Sequence, residues 1–174
     1  ALPICNIDAA FNNAGIEGEQ APIADSNTNN LDKLLNINVK GVYFCLREEL
    51  NMMQEKGGAI VNCSSVAGLV GFPGLPHYVT SKHGVIGLTK NAALEYAKQN
   101  IRVNAVSPGP IETPMIDRIM SEDESVRQNI LAGVPMGRLG KPGEVAEAVI
   151  WLCSEKASFV TGQVLATDGG WVAQ

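Results

Sequence analysis

Short apolar runs ending in Asn, Ser, Pro or Gly alternate with longer stretches of helical periodicity along most of this chain. That alternation restricts the fold more than any other feature. "IDAAFNNAG" predicts a strand over about Ile7 to Phe11 that ends in a turn. From about Leu31 to Met53 the apolar positions Leu31, Leu35, Val42, Leu46, Leu50 and Met53 recur at helical spacing. "EKGG", from Glu55, ends that helix, as glycine commonly does just past a helix terminus. "AIVNCSS" predicts a second strand. Ser81 to Asn100 predicts a helix with Val85, Thr89, Ala92, Ala93, Tyr96 and Ala97 along one side. "IRVNAVSPG" is a third strand, the run from Pro142 a helix with proline near its start, and "GQVLATDGG" a last short strand. Strands alternating with helices imply an α/β fold, a parallel sheet with helices on both faces.

Composition narrows what such a fold does. A chain of 174 residues is most naturally one domain with a substantial core, and 45% hydrophobic with 18% charged residues is ordinary for a soluble globular protein. The net charge of −5 and the lack of any basic run argue against nucleic acid as a partner. Apolar runs such as "AVIWLC" are far too short to span a bilayer. "ALPICNIDAAFNNAG" lacks the charged start and long apolar region of a signal peptide. Cys5, Cys45, Cys63 and Cys153 show no C-x-x-C spacing, and the last three sit in apolar runs. They are expected to be buried free thiols in a reducing, cytoplasmic setting. His77 and His83 with cysteines this scattered make no metal site.

In parallel sheets of this kind, ligands bind at the carboxyl ends of the strands. Four strand-to-loop junctions there carry polar or glycine-rich sequence: "NNAG" (12–15), "CSS" (63–65), "SPGPIETP" (107–114) and "TDGG" (167–170). Each alone is an ordinary turn. "PHYVTSKHG" adds Tyr78 and Lys82, four residues apart and so on one helical face. By itself that pair also fits a packed ring beside a solvated amine.

Taken together and in order, "NNAG", "NINVKG" with Asn38, Ser65 followed by Tyr78-x-x-x-Lys82, "NIRVNAVSPGPIETPM" and "TGQVLATDGG" resemble the classical short-chain dehydrogenase/reductase family from about residue 7 onward. The resemblance implies a Rossmann-like doubly wound sheet, present as its second half, with family strands 4 to 7 and their helices. It implies NAD- or NADP-dependent hydride transfer to or from a small-molecule carbonyl or secondary alcohol. Tyr78 is then the general acid/base, Lys82 its activator and a contact to the nicotinamide ribose, and Ser65 the hydrogen-bond partner of the substrate oxygen. Ser64 is a weaker alternative to Ser65. Asn38 matches the position that holds a water beside the lysine, and it also reads as a mid-helix residue that kinks its helix. Asn13, Ala14 and Gly15 match the turn near the adenosine-side ribose. Pro108, Gly109, Ile111 and Thr113 match the loop around the nicotinamide. The segment from about Met115 to Leu139 matches the mobile substrate cover. A homodimer or homotetramer through the helices at about 31–54 and 81–100 is implied, aided by Gly84, Gly87, Ala92, Ala93 and Ala97. A phenol has an ordinary pKa near 10, and a cation about 4 Å away contributes on the order of 4 kcal/mol at an effective dielectric near 20. Lys82 is therefore expected to supply much of the lowering of the Tyr78 pKa, helped by the positive charge of the oxidised nicotinamide.

The family's opening turn, Thr-Gly-x-x-x-Gly-x-Gly, occurs nowhere in these residues. Residues 1–174 are thus expected to be a partial, catalytic-half domain lacking the first three βα units. Alone they are expected to bind NAD(P) weakly and not to turn over. The alternative reading is an inactive binding or assembly module that keeps the family's oligomer surfaces.

Overall fold

The computed structural model describes residues 7–121 and 124–174. The reading of Cys5 falls outside them. Four strands run in parallel: β1 (Ala9–Asn12), β2 (Gly58–Cys63), β3 (Ile101–Pro108) and β4 (Val164–Thr167). They lie side by side in chain order, with Asn12 opposite Asn62, Cys63 opposite Val106, and Pro108 opposite Thr167. All four C-terminal ends therefore lie on one edge of the sheet. The α/β architecture expected from the alternation is the one observed.

β2 and β3 are almost wholly buried because helices cover both of their faces. On one face Ile60, Ile101 and Val103 pack with Leu46, Leu50 and Met53 of α2 (Gly41–Met53) and with Val85, Ala92 and Ala93 of α3 (Pro76–Tyr96). On the other, Val61 and Val106 meet Val149 and Leu152 of α6 (Pro142–Cys153). Neighbours Ile60 and Val61 thus serve opposite layers, as the two-residue period of a strand requires.

Helix boundaries depart from the sequence reading in instructive ways. The helix expected over Leu31 to Met53 is three pieces: α1 (Thr28–Leu34), a π-helical turn (Leu35–Lys40) and α2. It starts earlier because the Asn27 side chain accepts a hydrogen bond from the Asn29 N–H and caps it. Leu34, fully buried, is the inward residue of α1, whereas Leu31 and Leu35 are half-buried. α3 begins at Pro76 rather than Ser81, with proline in its first turn, so Tyr78 and Lys82 share its opening turns. It stops at Tyr96, followed by a 3-10 turn (Ala97–Gln99), and Asn100 takes a left-handed φ of 59° before β3. β1 is Ala9–Asn12, displaced by two residues at its start from the expected Ile7. Between β3 and α6 lie α4 (Pro114–Met120) and α5 (Glu124–Ala132).

Two further expectations are corrected. Cys45 is exposed, because it lies on the outer face of α2 beside Tyr43 and Phe44; Cys63 and Cys153 are half-buried. Ala92 and Ala93 are buried in this chain's own core, so neither is available to a partner helix. Among the described residues no helix is long and apolar enough to cross a membrane.

Arg102 of β3 holds the far end of α6. Its guanidinium donates to the Leu152 carbonyl at 2.6 Å and the Ser154 carbonyl at 3.1 Å, satisfying acceptors that a helix C-terminus leaves open. Arg102→Ala is expected to lower stability by about 2 kcal/mol, the scale of losing charge-assisted hydrogen bonds. Urea unfolding with an unchanged midpoint would contradict this.

Candidate active site

The site is assembled by side chains that fasten two strand-end segments to α3. Asn38, 1% exposed within the π turn, accepts the Ile16 N–H at 2.9 Å and donates to the Ile16 carbonyl at 2.9 Å. Its remaining N–H goes to Ser81 Oγ at 3.0 Å, and Ser81 Oγ in turn donates to the Tyr78 carbonyl at 2.8 Å. From the other side, Ser64 Oγ donates to the Lys82 carbonyl at 2.9 Å. The turn of α3 carrying Tyr78 and Lys82 is therefore held by the loop after β2 and, through Asn38, by the loop after β1. Both N–H groups of the Asn38 carboxamide are used inside the protein.

At the centre the Lys82 ammonium is buried and donates to the Cys63 carbonyl at 3.0 Å. It lies over the Tyr78 ring, 5.6 Å from the ring centroid. Burial pulls the Lys82 ammonium below its ordinary value, with Cys63 opposing. Burial likewise pushes Tyr78 up to about 12; a hydrogen bond with Ser65 works against the rise, and Cys63 and Glu17 add to it. The lowering expected from Lys82 together with the oxidised nicotinamide is thus not present in the chain by itself, where desolvation prevails.

Ser65 caps the short turn after β2 by accepting the Ala67 N–H at 3.2 Å and lies near enough to the phenol to counter the rise in its pKa, whereas Ser64 is buried against backbone. Ser65, not Ser64, is thus the hydroxyl beside the phenol. Gly15 belongs with this group, since a Cβ there would stand 3.3 Å from Asn38 Oδ1 and 3.4 Å from Lys82 Nζ. Asn13 and Ala14 are exposed at the end of β1.

The loop after β3 reaches the same edge, but its polar groups build the loop itself. Thr113 Oγ1 donates to the Ile111 carbonyl at 3.2 Å and accepts the Ile116 N–H at 3.4 Å, capping α4. Ile111 pairs with Gly140. A Cβ at Gly109 would come within 2.8 Å of the Asp168 backbone, so close strand-end packing accounts for that glycine, next to Pro108 at the end of β3. Met115, Ile116, Ile119 and Met120 are all half-buried.

Sequence reasoning missed two residues. Glu17 follows the pinned Ile16, and its Oε1 accepts from Arg118 of α4 at 2.8 Å (Nη2) and 3.3 Å (Nε). The only available signal was one carboxylate closely following the small residues of "NNAG", too little to single it out. Asn12, read as part of a turn, is structural: it donates to Asn62 Oδ1 and Glu49 Oε2, both at 2.9 Å. Among the described residues no group of three or more His, Cys, Asp or Glu is placed to hold a metal ion.

This arrangement has close counterparts. The family described as Enoyl-(Acyl carrier protein) reductase matches residues 4–172. A 2,5-dichloro-2,5-cyclohexadiene-1,4-diol dehydrogenase of Sphingobium indicum is 44% identical over 169 residues, covering 96% of this chain and 68% of that protein. The crystal structure of ElxO with NADP bound superposes with a TM-score of 0.90 at 41% identity, covering 96% of this chain and 68% of that one. NAD+-bound xylitol dehydrogenase gives a TM-score of 0.90 at 38% identity, over 95% of this chain and 69% of that one. With fold, motif order and relatives in agreement over nearly all of its length, the chain belongs to the short-chain dehydrogenase/reductase family.

Proposed function

We propose that these residues are the catalytic half of an NAD- or NADP-dependent oxidoreductase that moves hydride between a nicotinamide and a carbonyl or secondary-alcohol carbon, with Tyr78 as general acid/base. The observation that carries this reading is the placement of half-buried Ser65 and Tyr78 with buried Lys82 at the carboxyl edge of a parallel sheet. In this reading residues 1–174 form one partial Rossmann-like domain, and its pyrophosphate-binding turn lies outside them. It works in the cytoplasm on a small molecule.

The site's chemistry fits a nicotinamide nucleotide. The Lys82 ammonium carries three N–H donors, and the protein hydrogen bond found for it is the one to Cys63. Its free donors suit the two hydroxyls of a ribose, and Gly15 leaves space beside it. Asn13, Ala14 and Gly15 would hold the adenosine-side ribose, and Pro108, Gly109, Ile111 and Thr113 would form the wall at the nicotinamide. When bound, the nicotinamide supplies or accepts the hydride, and its oxidised form adds a positive charge to the site.

The residues handle the proton. In reduction, Tyr78 Oη gives its proton to the substrate oxygen as the carbon gains hydride, while Ser65 hydrogen-bonds that oxygen and stabilises its developing charge. A phenol pushed up to about 12 stays protonated through the physiological range, which suits a donor. In the alcohol-oxidising direction a phenolate is required, and the combined charge of Lys82 and the oxidised nicotinamide supplies the drop in pKa that Lys82 alone does not. Asn38 positions the Ile16 loop and Ser81, and in this reading it would hold a relay water beside Lys82.

The assembly-module reading has one observation in its favour. Tyr43 and Phe44 on α2 and Leu94 on α3 are exposed, Leu94 by 83%. We attribute these side chains to a homodimer or homotetramer of the enzyme rather than to an inactive scaffold. Light scattering at micromolar concentration is expected to show a multiple of 18.4 kDa; a lone monomer rejects the oligomer.

In a polypeptide carrying this sequence with its dinucleotide-binding portion, Tyr78→Phe is expected to abolish carbonyl reduction with the fold intact. Activity within about tenfold of the parent excludes Tyr78 as the proton donor, since general acid catalysis contributes roughly 10²–10⁴-fold. Lys82→Met is expected to weaken both cofactor affinity and rate.

The electrostatics can be read without turnover. Ultraviolet titration of the cofactor-free chain should show one tyrosine ionising near pH 12 that is missing from Tyr78→Phe. The folded pKa lies above the unfolded value of about 10. The stability it contributes is therefore complete below about pH 10 and is lost as pH rises through about 12. A Tyr78 transition below pH 10 would show that Lys82 outweighs burial.

A further inference from the structure

The loop that would face the nicotinamide is held in its middle by Gly140, from the segment before α6. Its ends are fixed by neighbouring elements: Pro108 pairs with Thr167 of β4, and Thr113 caps α4. Between them the Gly140 N–H donates to the Pro110 carbonyl at 2.9 Å, and the Gly140 carbonyl accepts the Glu112 N–H at 2.8 Å. Ile111, flanked by those two bonds, pairs with Gly140 in parallel. The segment that presents Gly140 is braced in turn. Arg138 donates to the two Glu144 carboxylate oxygens at 2.8 and 2.6 Å, and the Lys141 N–H donates to Glu144 Oε2 at 2.7 Å.

Backbone conformation does not explain why residue 140 is a glycine, since it lies outside the left-handed region that Gly137 occupies. Ile111 explains it. A Cβ on Gly140 would stand 2.5 Å from Ile111 Cδ1, well inside van der Waals contact, whereas the next atoms, Pro110 O and Glu144 Oε2, would be 3.8 and 3.9 Å away. The conflict is with the tip of one side chain, so the isoleucine has to turn while the backbone can stay. Room to turn exists: Pro110, Ile111 and Gly140 border a cavity of about 360 Å³ together with Val134 and Met136. Close packing therefore does not fix Ile111 on that side, and its contact with Gly140 does.

We propose that Gly140 is a positioning residue for the cofactor: its bare α-carbon seats the Ile111 δ-methyl, and its two backbone hydrogen bonds set the loop, so that Ile111 forms a fixed wall at the nicotinamide. This rests on the reading of Pro108, Gly109, Ile111 and Thr113 as that wall. Gly140 acts through Ile111 and touches no part of the dinucleotide itself. A methyl group added at position 140 alters the wall at the nicotinamide and leaves the adenosine side, built by Asn13, Ala14 and Gly15, as it was.

The test is calorimetric titration of a polypeptide carrying this sequence with its dinucleotide-binding portion. NADH is compared with ADP-ribose, and NADPH with 2′-phospho-ADP-ribose, probes that lack the nicotinamide. Gly140→Ala is expected to weaken the nicotinamide-bearing ligand about tenfold, the scale of overpacking by one methyl group, and its truncated counterpart by about twofold or less. Starting instead from Ile111→Val, which removes the conflicting Cδ1, adding Gly140→Ala is expected to change either affinity by about twofold or less, because the coupled contact is gone. General damage to the fold would weaken both ligands alike and would not be relieved by valine. Equal losses for the two ligands, an unchanged dinucleotide affinity in Gly140→Ala, or a loss that persists in the Ile111→Val background overturns the proposal and leaves the cofactor reading standing. A parent that binds neither dinucleotide rejects the cofactor reading and this proposal with it.

Discussion

One carboxamide ties the site together. Asn38 sits in a π-helical turn, and its side chain grips the backbone of Ile16 on one side and Ser81 on the other. These contacts join the loop after β1, the helical layer and α3, three segments far apart in the chain. An α-helix continued through this point would rotate Asn38 away from them. The wider turn is thus the local irregularity that aims the residue, in keeping with the frequent occurrence of such turns at functional sites. Replacing the amide by an apolar group would leave the Ile16 N–H and carbonyl without their partner.

Burial governs the chemistry built on that frame. Lys82 and Tyr78 lie close together in a region mostly removed from water, and burial disfavours the charged form of each. The ammonium is kept by a carbonyl, that of Cys63, and the phenol stays protonated.

Elsewhere polar side chains stitch the layers. Asn12 and Asn62, opposite each other on β1 and β2, bond at 2.9 Å, and Asn62 passes the connection to Thr89 of α3 at 3.0 Å. Asn104 bridges β3 to the segment before β4, accepting the Gln163 N–H and donating to the Val160 carbonyl. These contacts fix strand ends whose loops carry the reacting groups, so sheet register and site geometry are set together.

The sequence by itself determined the α/β class, all four strands and the positions of Ser65, Tyr78 and Lys82. Apolar periodicity and turn residues are local signals, and the i, i+4 spacing within one helix is a local geometry. The ordered motifs also carried the family. Only the tertiary structure decided that the long helix breaks at Leu35–Lys40, because a π turn depends on what Asn38 reaches rather than on its neighbours. It also decided that Cys45 faces out and that Ala92 and Ala93 face in, since the rotation of each helix follows from what packs on it. Direction of charge effects was likewise out of reach. Spacing placed a lysine near a tyrosine, but whether attraction or desolvation prevails depends on burial and on where the ammonium lies over the ring. Glu17 and Arg118 stand 101 residues apart, and no local pattern joins two charges across that separation; folding alone brings them together.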